Sequence, residues 1–322
     1  MTDFRIAAAQ YPIELLPTYG AWEIKISRWV WEAAEQGAQL LLFPEYAAME
    51  LAGGDPDAAA DLQAWLHHVM AVGERIDELH RHFAIHYEVT ILGGSRPCRD
   101  NRGLIVNRAR LFCPDGSSGH QDKIVMTRFE RETWGIGGGE AIHVIDTPVG
   151  RVGITICYDA EFPLIARAQA EAGAQIILVP SATDSMQGFW RVRIGAQARA
   201  LENQCYVVQA PTVGEAPWLP SLDENHGSAG IYGPPDGITP DNGVFAFGDL
   251  NRPQWLIADV RLDQVELWRR DGTVLPFRHW PEQQVPLLIA DRTAEWAMAM
   301  SAVRQQCADS SYPEPIFDGI FE

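Results

Sequence analysis

Short apolar runs that stop abruptly at polar residues recur along this chain, separated by longer stretches in which apolar side chains return every three or four positions. Phe4 to Gln10 is the first run and reads as a strand. Trp22, Ile26, Trp29, Val30 and Ala33 follow at near-helical spacing, which predicts a helix from about Tyr19 to Gln36 with Gly37 as its stop. Gln39 to Phe43 is a second continuous apolar run, and it ends in Pro44-Glu45-Tyr46. A long helical region is expected from about Asp57 to His82, then strands over Thr90 to Gly93 and Ile105 to Phe112. Pro114-Asp115-Gly116 turns the chain toward His120 to Met126, the stretch that carries Lys123.

The segment Val152 to Ile156 alternates branched apolar residues with small ones, as a strand covered on both faces does, and it stops at Cys157. Tyr158, Asp159 and Glu161 break the run, and Pro163 suits the first turn of a helix through Ala166 to Ala172. Further strands are expected at Ile142 to Thr147, Ile176 to Val179 and Tyr206 to Gln209, with a helix from about Phe189 to Gln204. Pro211 to Gly243 reads as loops around a strand near Gly230, and Trp255 to Val260 closes the sheet. Beyond residue 275 the alternation is lost. Residues 1–275 are therefore read as one domain, and 276–322 as an extension with one helix, Thr293 to Gln306, serving as an interface arm rich in Trp280, Trp296, Ile316 and Phe321.

The chain has 322 residues, 47% of them hydrophobic and 21% charged, an ordinary globular balance. A formal charge of −18 argues against nucleic acid or an anionic membrane as a partner. No stretch approaches the roughly 18 apolar residues of a membrane span, and no signal-like start precedes the first strand, so a cytoplasmic protein is expected. The five cysteines are odd in number and scattered, indicating neither a disulfide framework nor a zinc ribbon. In HRHFAIH only His82 and His86 would share a helix face, too few for a metal site. Trp134 to Glu140, WGIGGGE, precedes a strand and so reads as a tight loop, not a dinucleotide loop. One bias does change the picture: of 25 cationic residues only Lys25 and Lys123 are lysine. Where arginine serves every generic purpose, a lysine calls for a chemical reason.

A carboxylate, an ammonium and a thiol thus stand at three strand ends. The segments FPEY with Glu45, DKIVMTRFE with Lys123 and GITICYDAEFP with Cys157 resemble, in order and separation, the three signature segments of the nitrilase superfamily, the carbon-nitrogen hydrolases. The similarity runs from about Phe4 to Leu267 and includes ARALENQ, Ala198 to Gln204, which is similar to the family's interface helix. The resemblance implies an α/β four-layer α-β-β-α sandwich that pairs into a homodimer or higher homo-oligomer. It implies Cys157 as nucleophile, Glu45 as base and Lys123, with the Tyr158 N–H, as oxyanion donor, and no metal or organic cofactor. The family's second glutamate falls on Glu130 or Glu132, and Glu130 is preferred. Tyr46 and Thr183 occupy positions that line the family's substrate pocket.

Physical chemistry asks for the same parts. A thiol near its usual pKa of ~8.5 is little ionised at neutral pH and needs a base, and an attacked carbonyl needs a fixed donor for its developing charge. True nitrilases tend to carry Trp-Glu after the cysteine, whereas Cys157-Tyr158-Asp159 resembles the amidase and carbamoylase branches. The expected activity is hydrolysis of a small linear amide or N-carbamoyl compound through a cysteine thioester. An acyl-transferring enzyme, a catalytically silent relative and a true nitrilase stay open as alternatives.

Overall fold

The first strand, β1 (Asp3–Pro12), sorts its side chains by parity. Phe4, Ile6 and Ala8 enter one apolar core, and Ala7, Ala9 and Tyr11 enter the other. That is the two-residue period of a strand covered on both faces, and it sets the layering of the whole fold. The computed structural model describes residues 3–54, 61–219, 222–237, 239–284 and 301.

In chain order the elements are β1, α1 (Tyr19–Glu35), β2 (Leu40–Leu42), α2 (Leu62–Ala71), α3 (Gly73–His86), β3 (Thr90–Arg99), β4 (Ile105–Phe112), β5 (Ser118–Asp122), β6 (Val144–Thr147), β7 (Gly150–Ile154), α4 (Pro163–Glu171), β8 (Ile176–Ser181), α5 (Met186–Asn203), β9 (Tyr206–Glu215), β10 (Glu224–Asn225), β11 (Gly230–Tyr232), β12 (Val244–Phe247), β13 (Gln254–Arg261) and α6 (Leu262–Asp271). The strand order is β5-β4-β3-β2-β1-β9-β8-β7-β6, with β13 antiparallel to β1. β1 and β9 meet only through Tyr11–Thr212 and Pro12–Val213, a short parallel seam between two half-sheets. Trp22, Ile26 and Val30 of α1, Trp65 of α2 and Phe83 of α3 cover one half-sheet. Ala166 of α4 and Val192, Ala196 and Ala200 of α5 cover the other, and the core between the sheets holds Leu40, Leu42, Leu92 and Leu111. The result is the α-β-β-α sandwich.

Local chemistry accounts for the element ends. Thr18 caps α1 by accepting from the Ala21 N–H, Ser185 caps α5 through the Gly188 N–H, and Pro163 stands in the first turn of α4. The long helical region expected from about Asp57 to His82 is made of two helices, which part at Val72. The cause is Arg96: its guanidinium donates to the Gly73 carbonyl at 3.1 Å and to Asp77 at 2.8 Å, and a side chain at Gly73 would collide with it. Apolar spacing cannot register that contact, because the period resumes after the break. β12 and α6 were not expected from the pattern, and β5 was expected only as a strand ending at Lys123, without bounds. β5 is short and polar, β12 is only four residues long and follows a stretch rich in Gly and Pro, and α6 follows β13 with no intervening loop.

The chain parts into two units, Met1–Arg278 and His279–Glu322. In the second, Trp280–Gln284 forms a 3-10 turn in which Gln283 donates to the Trp280 carbonyl. The helix expected over Thr293 to Gln306 lies outside the described residues except for Ser301, as do Trp296, Ile316 and Phe321.

The register of β3 shifts between Leu92 and Ser95, and this bulge faces the turn after β2. Gly94 has φ +76°, and a Cβ there would sit 2.3 Å from the Pro44 carbonyl oxygen. Ser95 meanwhile donates its N–H to Pro44 O and offers its hydroxyl to the Tyr46 N–H. The bulge therefore sets the turn bearing Glu45. Gly94→Ala is expected to cost about 2 kcal/mol or more, through a left-handed backbone and a backbone collision together. Urea titration of the purified variant checks this, and an unchanged midpoint would refute it.

Candidate active site

Three segments converge at the ends of their strands. Glu45 follows β2, Lys123 directly follows β5, and Cys157 opens a 3-10 turn, Cys157–Glu161, after β7. Lys123 Nζ donates to Glu45 Oε1 at 2.8 Å and to Glu130 Oε2 at 2.6 Å. All four residues are buried: Glu45 and Lys123 are 1% exposed, Glu130 and Cys157 4%. The Cys157 thiol points to the Ala182 carbonyl at 3.6 Å, and the Ala182 N–H donates to Glu45 Oε2 at 3.0 Å, so one peptide segment after β8 touches both.

The two candidates for the second glutamate separate cleanly. Thr127 and Glu130 form a reciprocal cap: the Glu130 N–H donates to Thr127 Oγ1 at 3.2 Å, and Glu130 Oε2 accepts the Thr127 N–H at 3.0 Å. That cap opens a short π turn, Glu130–Trp134, and turns the Glu130 carboxylate inward. Glu132 points outward and pairs with Arg128 at 2.8 Å in solvent. Tyr46 completes the inner set, donating its hydroxyl to Glu130 Oε1 at 2.8 Å.

Two residues that the sequence reading passed over hold the set together. Asn107 of β4 donates from Nδ2 to Glu45 Oε1 at 2.9 Å and to Glu130 Oε1 at 3.2 Å, and its carbonyl accepts the Lys123 N–H at 2.8 Å. It thus bridges two like charges. The sequence of β4, IVNRARLF, gives no sign that its amide is wholly buried, which only the structure shows. Asp159, read only as a turn residue, accepts the backbone N–H groups of Ile124 and Val125.

The charges are placed asymmetrically. Burial, opposed by Lys123 and reinforced by Glu130, pushes Glu45 above the usual carboxylate range. Burial also acts on Glu130, but Lys123 and hydrogen bonds from Thr127 and Tyr46 outweigh it and hold that carboxyl below its ordinary value. Burial and the Glu45 charge push the Cys157 thiol well up, so the resting thiol is protonated. Lys123, though burial works against its charge, is held well above its ordinary value by Glu45 and Glu130. Two carboxyls driven apart in this way mark one as a permanent anion and the other as a group that can take a proton.

Cys157 has φ +49° and Tyr46 has φ +58°, left-handed conformations that non-glycine residues seldom adopt. Such strain concentrates where a fold holds a side chain for a purpose other than packing. The four residues lie at one cavity of about 590 Å³ within the first unit, with Tyr158, half-buried against Phe162, and Trp134 on its walls. Thr183 also lines it, its hydroxyl donating to the His226 carbonyl at 2.6 Å, which leaves that oxygen free only to accept. Among the described residues no cluster of three or more His, Cys, Asp or Glu side chains is arranged to hold a metal ion, and no helix is long and apolar enough to cross a membrane.

Comparison with known proteins agrees with this geometry. The chain is 34% identical over 270 residues to a probable hydrolase of Bacillus subtilis, YhcX, covering 84% of this chain and 52% of that protein. It is 34% identical over 190 residues to deaminated glutathione amidase of Yersinia enterocolitica, covering 55% of this chain and 63% of that protein. The chain therefore spans about half to two thirds of these relatives. Among solved structures it is similar to an amidase from Nesterenkonia sp., with 25% identity, a TM-score of 0.63, and coverage of 82% of this chain and 92% of that one. That amidase is a nitrilase-superfamily protein, and a variant of it carries the acetamide moiety of fluoroacetamide on its active-site cysteine. The family model for carbon-nitrogen hydrolases matches residues 5–270, and with the sandwich and its buried glutamate, lysine and cysteine the chain belongs to the carbon-nitrogen hydrolase family.

Proposed function

We propose that the protein is an amidase-type hydrolase that cleaves the C–N bond of a small linear amide or N-carbamoyl compound through a thioester on Cys157. The observation that carries this reading is the placement of a protonated thiol beside a carboxylate of raised pKa, with a buried ammonium at hand, on the wall of one cavity. Nothing in packing rewards such a set, because several kcal/mol per ion are lost on desolvation.

In the proposed sequence the sulfur of Cys157 attacks the amide carbonyl as Glu45 takes the thiol proton. Oxygen becomes an oxyanion held by Lys123 and the Tyr158 N–H. Two of the three ammonium hydrogens already face Glu45 and Glu130, which leaves the third for substrate. Tyr158 stands in the first turn of a 3-10 helix, where N–H groups lack intrahelical partners. Glu45 then passes its proton to the departing nitrogen, the C–N bond breaks, and ammonia or an amine leaves a thioester. Water attacks the thioester as Glu45 accepts its proton, and the thiol is restored as the acid leaves. Glu130 keeps its charge throughout and fixes Lys123.

The apolar side chains of Trp190 and Ile194 on α5 and Leu164 on α4 are 47%, 63% and 69% exposed. That supports pairing of two copies through this face, as the family resemblance implies. Trp190→Glu with Ile194→Glu should lower the mass seen by sedimentation velocity, and an unchanged mass would refute the pairing.

Intact-protein mass spectrometry after exposure to an amide panel tests the reaction itself. A thioester adduct on Cys157 with released acid is expected, and a released acyl conjugate would instead mean transfer to another acceptor. Cys157→Ser should leave the fold intact and lower kcat more than tenfold, a barrier change above about 1.4 kcal/mol, because a carboxylate cannot deprotonate a hydroxyl of much higher pKa. Retained turnover would exclude a thiol nucleophile.

Lys123→Arg is the sharper test. The guanidinium is planar and larger than an ammonium, and Lys123 sits at 2.6–2.8 Å from two buried carboxylates. We expect a kcat loss of roughly 10²- to 10³-fold, the magnitude of a lost oxyanion donor, with both glutamates still paired. Turnover within a few-fold of the wild type would assign the oxyanion to backbone donors alone.

A further inference from the structure

The proposed chemistry gives no task to Asp159, yet this carboxylate is wholly buried two residues from the nucleophile. Its oxygens accept the Ile124 N–H at 3.2 and 3.1 Å and the Val125 N–H at 2.8 Å. The donors are the two residues directly after Lys123. One side chain therefore spans the 3-10 turn that presents the thiol and the segment that presents the ammonium, which approach from opposite half-sheets: β7 belongs to one and β5 to the other. Other backbone bonds on the Lys123 segment come from its own half-sheet side, the Asn107 carbonyl and the Gly139 N–H, both at 2.8 Å. They fix Lys123 from the Glu45 side; the Ala182 segment links Glu45 to Cys157 indirectly, and Asp159 ties the nucleophile turn to the lysine segment directly.

We propose that Asp159 is a positioning residue whose carboxylate latches the lysine segment to the nucleophile turn and so sets the separation of ammonium and thiol. This rests on the reading that Lys123 and Cys157 act on one substrate. The latch works best when ionised, since a protonated carboxyl has weaker acceptor oxygens and donates a proton of its own toward N–H groups that cannot accept it.

Asp159 titrates where that matters. Burial pushes it up from 3.8 to about 7, opposed by the Val125 and Ile124 N–H groups and by the Lys123 charge. The charged groups facing this turn are few. Lys123 approaches from the β5 side, Arg199 of α5 is bound to the Ala160 carbonyl and Glu202, and Glu161 on the turn itself pairs with Arg191. For a carboxyl raised in the folded state, folding favours the protonated form, so stability from this group falls as pH rises from about 4 toward 7 and is level above. The latch strengthens over the upper part of that window. Function and stability therefore run in opposite directions with pH, which a residue of purely structural importance would not do.

The test uses the full chain, iodoacetamide as a thiol probe and the best amide from the panel. Asp159→Asn keeps the shape of the protonated acid. Expected are a kcat loss of tenfold or more with KM changed less than threefold, a Cys157 alkylation profile moved to higher pH because the ammonium no longer steadies the thiolate, and a melting temperature at pH 8 no lower than the wild type. Unaltered kcat and alkylation profile, or a kcat loss accompanied by a matching fall in melting temperature, would overturn the proposal. Should the variant not fold, the wild type answers alone: between pH 6 and 8 alkylation and kcat/KM must rise while the melting temperature stays level or drops, and a parallel rise of all three refutes the latch. If the wild type forms no thioester with any amide, the hydrolase reading fails first, and the alkylation profiles still decide the role of Asp159.

Discussion

A single ammonium buried between two carboxylates is the constraint on which the rest of the site depends. Taking Glu45, Lys123 and Glu130 out of water costs several kcal/mol for each ion, and the attraction between them offsets this only with good geometry and with every remaining lone pair engaged. The structure meets both conditions. Glu45 accepts from Lys123, Asn107 and the Ala182 N–H, and Glu130 accepts from Lys123, Tyr46, Asn107 and Thr127. The partners come from β4 and from the segments that follow β2, β5 and β8, so the ion set ties these strands together at one end of the sandwich. Replacing a buried ion set by an apolar cluster of equal volume is often neutral or stabilising, so stability alone does not account for the set.

The same end of the fold holds the strained backbone. Tyr46 and Cys157 are left-handed and stand next to, or at, groups of the proposed reaction. Each is held by contacts on both sides: Tyr46 by the Ser95 hydroxyl behind it and Glu130 ahead, Cys157 by the Ala182 carbonyl and, through Asp159, the lysine segment. Strain persists only where surroundings over-determine it. Here the surroundings are strands already buried on both faces, and a buried strand end has little freedom to relax.

The two lysines carry this logic further. Lys25 lies over the Tyr11 ring and donates to Glu50 at 2.8 Å, while Tyr11 itself donates to Glu50. Glu50 is wholly buried and sits in the turn that follows Glu45 and Tyr46. In a chain that elsewhere uses arginine, both lysines are spent on buried glutamates, where a compact point charge with three rotatable donors fits and a planar fork does not.

Residue order alone determined the strands that lead to Glu45 and Cys157, the helices α1, α4 and α5, and the choice of Glu45, Lys123 and Cys157 as candidates, because periodicity and strand-end polarity are local properties and the three segments resemble one family in order. It also narrowed the second glutamate to Glu130 or Glu132. Only the tertiary structure shows which of the two meets Lys123, through a cap between Thr127 and Glu130 that sets the Glu130 carboxylate inward. The Arg96 contact that divides α2 from α3, the bulge at Gly94 that sets the turn of Glu45, the bridging of two carboxylates by Asn107 and the latch from Asp159 to Ile124 and Val125 were equally out of reach. Each joins residues far apart in the chain through a hydrogen bond or a close approach, and such contacts leave no period in the sequence because they are created by the folding of the chain itself.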